Sequence, residues 1–319
     1  MDRLARLRDG IAKHADVLEI GPYFNPITAR RDGYRVTTLD VFDTEELRAR
    51  GAADPNVGPA RVPAIEEVDL VGSACDLADM TVAKYGAGKK FDWILSSHNF
   101  EHLPDPIRFL RQCAAVLRDG GTLRMAIPDK RFCFDHFRQL SDVSEWLQAF
   151  HERRTTPTVY QAFREEAHRS APGPDGRWTP VRESLATYRS WFGPDGRAPE
   201  GYIDTHCWAF TPESFSLLLH DVRAFGLVPL RIARISEPHG LEFYVDLGPV
   251  GADETLTEDD YFSTRESLLR RCLAAEAETR PSAPPPAAAP KPRRSIPVKI
   301  AREVARAARK VAALGSRPR

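Results

Sequence analysis

Gly21 and Asp40, 19 positions apart, are the first residues in the chain whose types and spacing imply chemistry. Gly21 follows the apolar run 17–20, and Asp40 closes the run 36–39. A glycine at the end of one strand lets backbone approach a ligand, and a carboxylate ending the next accepts hydrogen bonds from ribose hydroxyls. The pair predicts an adenosine site. Pyrophosphate cofactors need several glycines before a helix N-terminus. Here Glu19-Ile20-Gly21-Pro22-Tyr23-Phe24-Asn25-Pro26 offers Gly21 alone and loses backbone donors at both prolines. Such a loop suits an adenosine cofactor without phosphates, whose charged amino-acid end Glu19 and the remaining amides can hold. S-adenosylmethionine meets that description. Taken singly, acidic strand ends are common, and Glu19 equally fits a strand-end cap.

Holding these residues requires alternating strands and helices. Strand-like runs at 17–20, 36–39, 68–71, 91–95 and 122–127 are separated by helix-like stretches, the signature of an α/β protein. In 106–117, Ile107, Leu110, Ala114 and Leu117 recur at helical spacing before a stop at Asp119-Gly120-Gly121. That helix should join parallel strands. Over about 134–200 the pattern loosens into helical pieces (143–150 and 159–168) and turn-rich segments (172–176 and 193–196), which reads as an insertion or lid. Thr211 before Pro212 marks a helix start leading into 215–222, and two strand candidates follow at 227–235 and 241–247.

Composition narrows the class. A chain of 319 residues with 42% hydrophobic and 28% charged residues is ordinary for a globular protein with one enlarged domain or a domain plus appendages. No apolar run reaches the roughly 18 to 20 residues that span a bilayer, and MDRLARLRDGIAKHADV has no secretory apolar region. Five scattered cysteines, an odd number and never in CxxC spacing, indicate neither a disulfide framework nor a zinc site. The expectation is a reduced, cytoplasmic protein. Its zero formal charge hides an asymmetry: 291–319 hold ten Lys/Arg and one acid, leaving 35 basic and 44 acidic residues before them. An acidic body is a poor nucleic-acid platform.

The stretches Phe91-Asp92-Trp93-Ile94-Leu95-Ser96-Ser97-His98-Asn99-Phe100-Glu101-His102-Leu103-Pro104-Asp105-Pro106 and 117–123 (LRDGGTL) resemble the fourth- and fifth-strand motifs of class I S-adenosylmethionine-dependent methyltransferases. More narrowly, EIGPYFNPI, SSHNFEHLPDP and AIPDKRFCFDHFR resemble methyltransferases associated with glycosyltransferases and cell-surface polysaccharide synthesis. The match runs from about 16 to 247, with Tyr23 and Asn25 where further glycines are usual. The resemblance implies a Rossmann-like sheet of seven strands. It places Glu19 and Gly21 at the methionine end, with Pro22 and Asn25 shaping the loop and Asp40 at the ribose. Asp76 and Leu77 would flank the adenine, and Ser96, Ser97 and His98 would end the strand where cofactor and acceptor meet. Asp76 also fits an N-cap for the next helix.

Methyl transfer to oxygen or nitrogen is an in-line displacement, and a protonated acceptor needs a base. His98 is the first candidate, with packing over the cofactor as the alternative. Asp129, in Ile127-Pro128-Asp129-Lys130-Arg131, is the second, with an Asx turn as its alternative. His102 should begin the next helix and reads as structural. Asp135, His136 and His206 can close over the acceptor, while Lys130 and Arg131 can hold its phosphate or carboxylate. His98, His136 and His206 form no HxxxH or HxH pair, so no metal is expected.

Domain organisation follows: a methyltransferase domain at 1–250 with the lid at about 134–200, a helical extension at 251–280, a Pro/Ala-rich linker at 281–294 and a basic amphipathic tail at 295–319. In the tail, Ile300, Val304, Ala308, Val311 and Leu314 oppose Lys299, Arg302, Arg306, Arg309 and Lys310, a pattern suited to an anionic membrane surface, here the inner face, or an acidic protein partner. The expected function is O-methylation of a saccharide or other small hydroxylated acceptor in glycan biosynthesis. The rival is a non-catalytic cofactor-binding scaffold of a glycan-assembly complex.

Overall fold

The computed structural model describes residues 2–55, 57–181, 183–251 and 254–277; the linker at 281–294 and the basic tail at 295–319 lie outside the described residues. After helix α1 (Arg3–Arg8) come β1 (Val17–Ile20), β2 (Val36–Asp40), α2 (Thr44–Ala53), β3 (Leu70–Val71), α3 (Leu77–Tyr85), β4 (Phe91–Ser97), α4 (Pro106–Val116) and β5 (Leu117–Pro128). Helices α5 (Val143–His151) and α6 (Val159–His168), the hairpin β6 (Ser170–Pro172) and β7 (Trp178–Pro180), and α7 (Ser184–Phe192) form an excursion. The chain returns through α8 (Pro212–Ala224), β8 (Leu230–Ile235) and β9 (Glu242–Pro249), and α9 (Glu258–Ala277) packs on α8.

Seven strands form one sheet in the order β3-β2-β1-β4-β5-β9-β8. The first five pair in parallel, and β9 is antiparallel to both β5 and β8. Helices on both faces explain why β1 is buried at all four positions: central parallel strands carry apolar side chains on each side. Leu18, Ile20, Ile94, Met125 and Ile127 share one core with α4, α5 and α8, whereas Val17, Leu95 and Ala126 meet Leu7 and Ile11 on the other face. Helix α4 starts where Asp105 accepts from Arg108 N at 2.9 Å, with Pro106 as first helical residue, and buries Ile107, Phe109, Leu110 and Cys113.

One boundary differs from the sequence expectation. Asp119-Gly120-Gly121 does not terminate a helix but lies inside β5, which begins at Leu117. The register beside β4 shifts between Phe91 and Trp93, and a Cβ at Gly121 would lie 2.9 Å from Arg118 O. The glycines admit an irregularity in a strand that continues past it. Among the described residues no helix is long and apolar enough to cross a membrane.

Candidate active site

Strand order reverses between β1 and β4, and in sheets of this kind ligands bind beyond the carboxyl ends of the strands at that switch point. Gly21 sits there with φ 61°, and a Cβ in its place would meet no atom within 4 Å. The backbone is thus open to a ligand. Its N–H bonds Leu39 O at 2.8 Å, tying the loop to β2. Asp40 ends β2, and Phe42 N donates to its Oδ1 at 3.2 Å. Burial pushes the Asp40 carboxyl up to about 6, against opposing bonds from Phe42 and Val41. An exposed glycine backbone beside a partly desolvated carboxylate is an arrangement that can receive an adenosine cofactor.

Glu19 requires correction. It is 1% exposed, and its carboxylate accepts from Ile27 N at 2.6 Å, Thr28 N at 2.8 Å and Thr28 Oγ1 at 2.7 Å. Burial raises its pKa while those bonds oppose the shift. Glu19 folds the loop carrying Pro22 and Asn25, in which Asn25 N bonds Pro22 O, rather than holding a cofactor ammonium. Leu77 buries its side chain in the main core at the start of α3, which leaves its backbone as the part that could meet a ligand. Asp76 caps nothing with its side chain; it pairs with Arg108 of α4.

The end of β4 gathers the remaining candidates. Ser96 Oγ accepts from Asn99 Nδ2 at 3.1 Å, and Ser97 Oγ accepts from Arg3 Nη2 at 2.6 Å. His98 has φ 49°, a left-handed backbone rare for a residue with a side chain. Antiparallel pairing of Pro128 with Glu242 brings the start of β9 beside it, and His98 Nε2 lies 2.6 Å from Glu242 Oε2. Arg3 clasps the same carboxylate at 2.8 and 3.0 Å, and Tyr244 donates its hydroxyl to it. Burial pushes Glu242 up, but the bonds from His98, Arg3 and Tyr244 prevail and hold it at about 2. An ionised Glu242 accepts from Nε2–H and leaves Nδ1 of the ring as the basic nitrogen.

Just beyond, Phe100 packs among Phe109, Trp146, Phe210 and Phe215 at 5.7 to 5.8 Å, which fixes the following turn. Cys207 N donates to Glu101 O at 2.7 Å and Trp208 Nε1 to Leu103 O at 2.6 Å, so the segment leading to α8 lies along this turn. Glu101, His102 and His206 consequently converge, their ligating atoms all within 4.8 Å of one another. Asp135 is 2% exposed and committed to Arg138 at 2.9 Å and His206 Nδ1 at 2.6 Å. Burial raises Asp135, but His206 and Arg138 outweigh it and hold the group at about 2. It orients His206 and is not exposed to an acceptor.

Asp129 is likewise sealed. It is fully buried, and Arg131 engages both its oxygens through Nε and Nη2 while Arg131 N closes an Asx turn at 2.9 Å. The Asx-turn alternative describes it, not the role of a base. Arg131 therefore has less freedom to bind an acceptor anion. Lys130 is 8% exposed with Nζ 3.8 Å from Glu276, and burial lowers its pKa. His136 stacks on Trp178 of the hairpin at 5.3 Å, its Nδ1 2.9 Å from Arg131 O, and burial lowers its pKa. Sequence reasoning missed Arg3 and Glu242, which lie 239 residues apart and become neighbours only through β5–β9 pairing and the packing of α1.

A methyltransferase-domain family model matches residues 1–222. A ubiquinone biosynthesis O-methyltransferase of Parvibaculum lavamentivorans is 37% identical over 75 residues, covering 24% of this chain and 28% of that protein. Another, from Caulobacter vibrioides, is 33% identical over 96 residues, covering 30% of this chain and 33% of that protein. The matches thus span a third or less of those relatives. The CcbJ methyltransferase of Streptomyces caelestis, a solved structure, is 13% identical with a TM-score of 0.41 over 77% of this chain and 88% of that one. The chain belongs to the methyltransferase-domain family, and S-adenosylmethionine is the methyl donor of that class of enzyme.

Proposed function

We propose that this protein transfers a methyl group from S-adenosylmethionine to a hydroxyl oxygen of a small acceptor, the first class to test being a saccharide or its lipid-linked precursor. The carrying observation is His98 at the switch-point crevice, held by an ionised Glu242 at 2.6 Å. When bound, S-adenosylmethionine supplies an electrophilic methyl on a sulfonium. The acceptor oxygen attacks that carbon as the carbon–sulfur bond breaks, and His98 Nδ1 takes the hydroxyl proton. Glu242 keeps the other ring nitrogen protonated and stabilises the imidazolium. Oxygen as the target agrees with the O-methyltransferases matched over short stretches. The saccharide assignment rests on the motif resemblance.

In this reading residues 1–250 are the transferase domain and 134–200 cover the acceptor. The basic stretch 295–319 brings the enzyme to an anionic inner membrane surface or an acidic protein. Incubating the full chain with donor, saccharides and phenols while following S-adenosylhomocysteine tests the proposal. His98→Ala should lower turnover by about 10² or more with donor affinity unchanged. Donor binding without turnover on any hydroxylated acceptor would overturn it.

A further inference from the structure

Glu101 is 1% exposed, and neither of its carboxylate oxygens has a hydrogen-bond partner among the described residues. An unpaired buried carboxylate costs several kcal/mol unless a cation or donor meets it. The groups around it are histidines. Nε2 of His102 and Nε2 of His206 each stand 3.8 Å from Glu101 Oε1. That is beyond a hydrogen bond. It is close to the spacing of two donors sharing one ion, since ligands about 2.0 to 2.2 Å from a tetrahedral metal lie roughly 3.4 Å apart.

The opposite nitrogen of each ring faces a carboxylate: His206 Nδ1 lies 2.6 Å from Asp135, and His102 Nδ1 lies 2.9 Å from Asp204. Metal-bound histidines are oriented in this way, with the outer carboxylate fixing the tautomer and leaving the inner nitrogen a lone pair. Two such lone pairs and a carboxylate then face a common centre, an arrangement of acceptors with no donor among them. Arg138 locks Asp135, so the outer partner of His206 is itself rigid.

We infer that Glu101, His102 and His206 form a binding site for one divalent transition-metal ion, Zn²⁺ or Mn²⁺, with remaining coordination positions for an acceptor oxygen. Two imidazoles and one carboxylate suit these ions and leave the coordination incomplete, as in sites that bind substrate. The set differs from His98, His136 and His206, whose spacing along the chain gave no metal pattern. Glu101 and His102 share one turn, and His206 joins them through the backbone bonds of Cys207 and Trp208 to Glu101. His98 Nδ1 is 3.6 Å from Glu101 Oε1, so an oxygen on the ion would lie near the proposed base. Ion binding itself does not depend on the transfer reading.

The test is calorimetric titration of the chelator-stripped full chain with ZnCl₂ and MnCl₂, together with the visible absorption of the Co²⁺-loaded protein. The expected result is one equivalent bound and a Co²⁺ spectrum of low-symmetry nitrogen and oxygen ligation. Glu101→Gln and His206→Gln should each weaken binding at least tenfold, and Asp135→Asn by about 10- to 100-fold. His102→Gln, at a less buried position, repeats the test if the other variants misfold by circular dichroism. Undiminished affinity in folded ligand variants, or no stoichiometric uptake by folded wild type, would overturn the inference.

Discussion

Asp40→Asn should make the protein more stable while depriving it of its cofactor. Burial shifts the Asp40 carboxyl from an ordinary 3.8 to about 6. The folded state therefore holds this proton more tightly than the unfolded chain. Its stabilising contribution is complete below 3.8 and is lost as pH rises through about 6. At about 1.4 kcal/mol per pH unit, the interval corresponds to about 3 kcal/mol above pH 6, taken as a ceiling. Asparagine cannot ionise, yet its side-chain oxygen can still accept from Phe42 N. Thermal unfolding should coincide for the two proteins near pH 3.8 and diverge as pH rises, up to about 6 °C in favour of the variant at pH 7.5. Donor affinity should move oppositely. A carboxylate accepting ribose hydroxyls makes charge-assisted bonds of about 1.5 to 3 kcal/mol each, so the variant should bind at least tenfold more weakly. Wild-type affinity should itself fall as pH drops below about 6. Equal melting temperatures at pH 7.5 combined with equal affinities would refute both the desolvation argument and the ribose assignment.

Two further substitutions test the scaffold. Arg124, 3% exposed, clasps Asp246 at 2.7 and 2.9 Å, donates to Asp9 O at 2.6 Å beyond α1, and lies over Trp93. Arg124→Ala should cost about 3–5 kcal/mol in urea unfolding by leaving a buried carboxylate short of its partner. Arg234→Ala, on the exposed side of Asp246, should cost under about 1 kcal/mol; comparable losses would contradict this ranking. Glu19→Gln places an amide NH₂ opposite backbone donors at 27 and 28, and should cost about 1–3 kcal/mol and weaken the thermal shift produced by donor. An unchanged shift would separate the loop's fold from cofactor binding.

Most sheet strands were legible because their burial is local information. Residues 17–20 and 36–39 read as strands because short runs rich in Val, Ile, Leu and Thr favour extended backbone, and β1 is buried at every position. Helix 159–168 was equally legible, with Thr158 and Gln161 forming a capping box at its start. Helix α1 was not: it spans six residues, and Arg124 from β5 reaches the carbonyls at its end. The site divided in the same way. The strand-end positions of Gly21 and Asp40 were legible from the sequence. Glu19 did not reveal its role, because a strand-end carboxylate looks the same whether it faces a ligand or folds back on residues 27 and 28. Glu242 is one alternating position in an ordinary strand. Its meaning depends on a register opposite Pro128 that no local pattern encodes.

The backbone at His98 offers a check on whether the crevice is built around this side chain. A left-handed residue with a Cβ costs about 1–2 kcal/mol, and such strain persists where surrounding structure imposes it. Here His98 N is anchored to Ala126 O at 3.0 Å while the ring is drawn to Glu242. His98→Ala and His98→Gly both remove the ring and leave Glu242 with Arg3 and Tyr244. Their difference in stability therefore isolates the backbone. In ordinary extended or helical backbone alanine is favoured by about 0.5–1 kcal/mol, because glycine loses more freedom on folding. At φ 49° the order should invert, with glycine more stable by up to about 1 kcal/mol in urea unfolding. Alanine proving the more stable would mean that the left-handed turn relaxes once the ring is gone. The contact with Glu242, rather than the β4 turn, would then be what holds residue 98 in place.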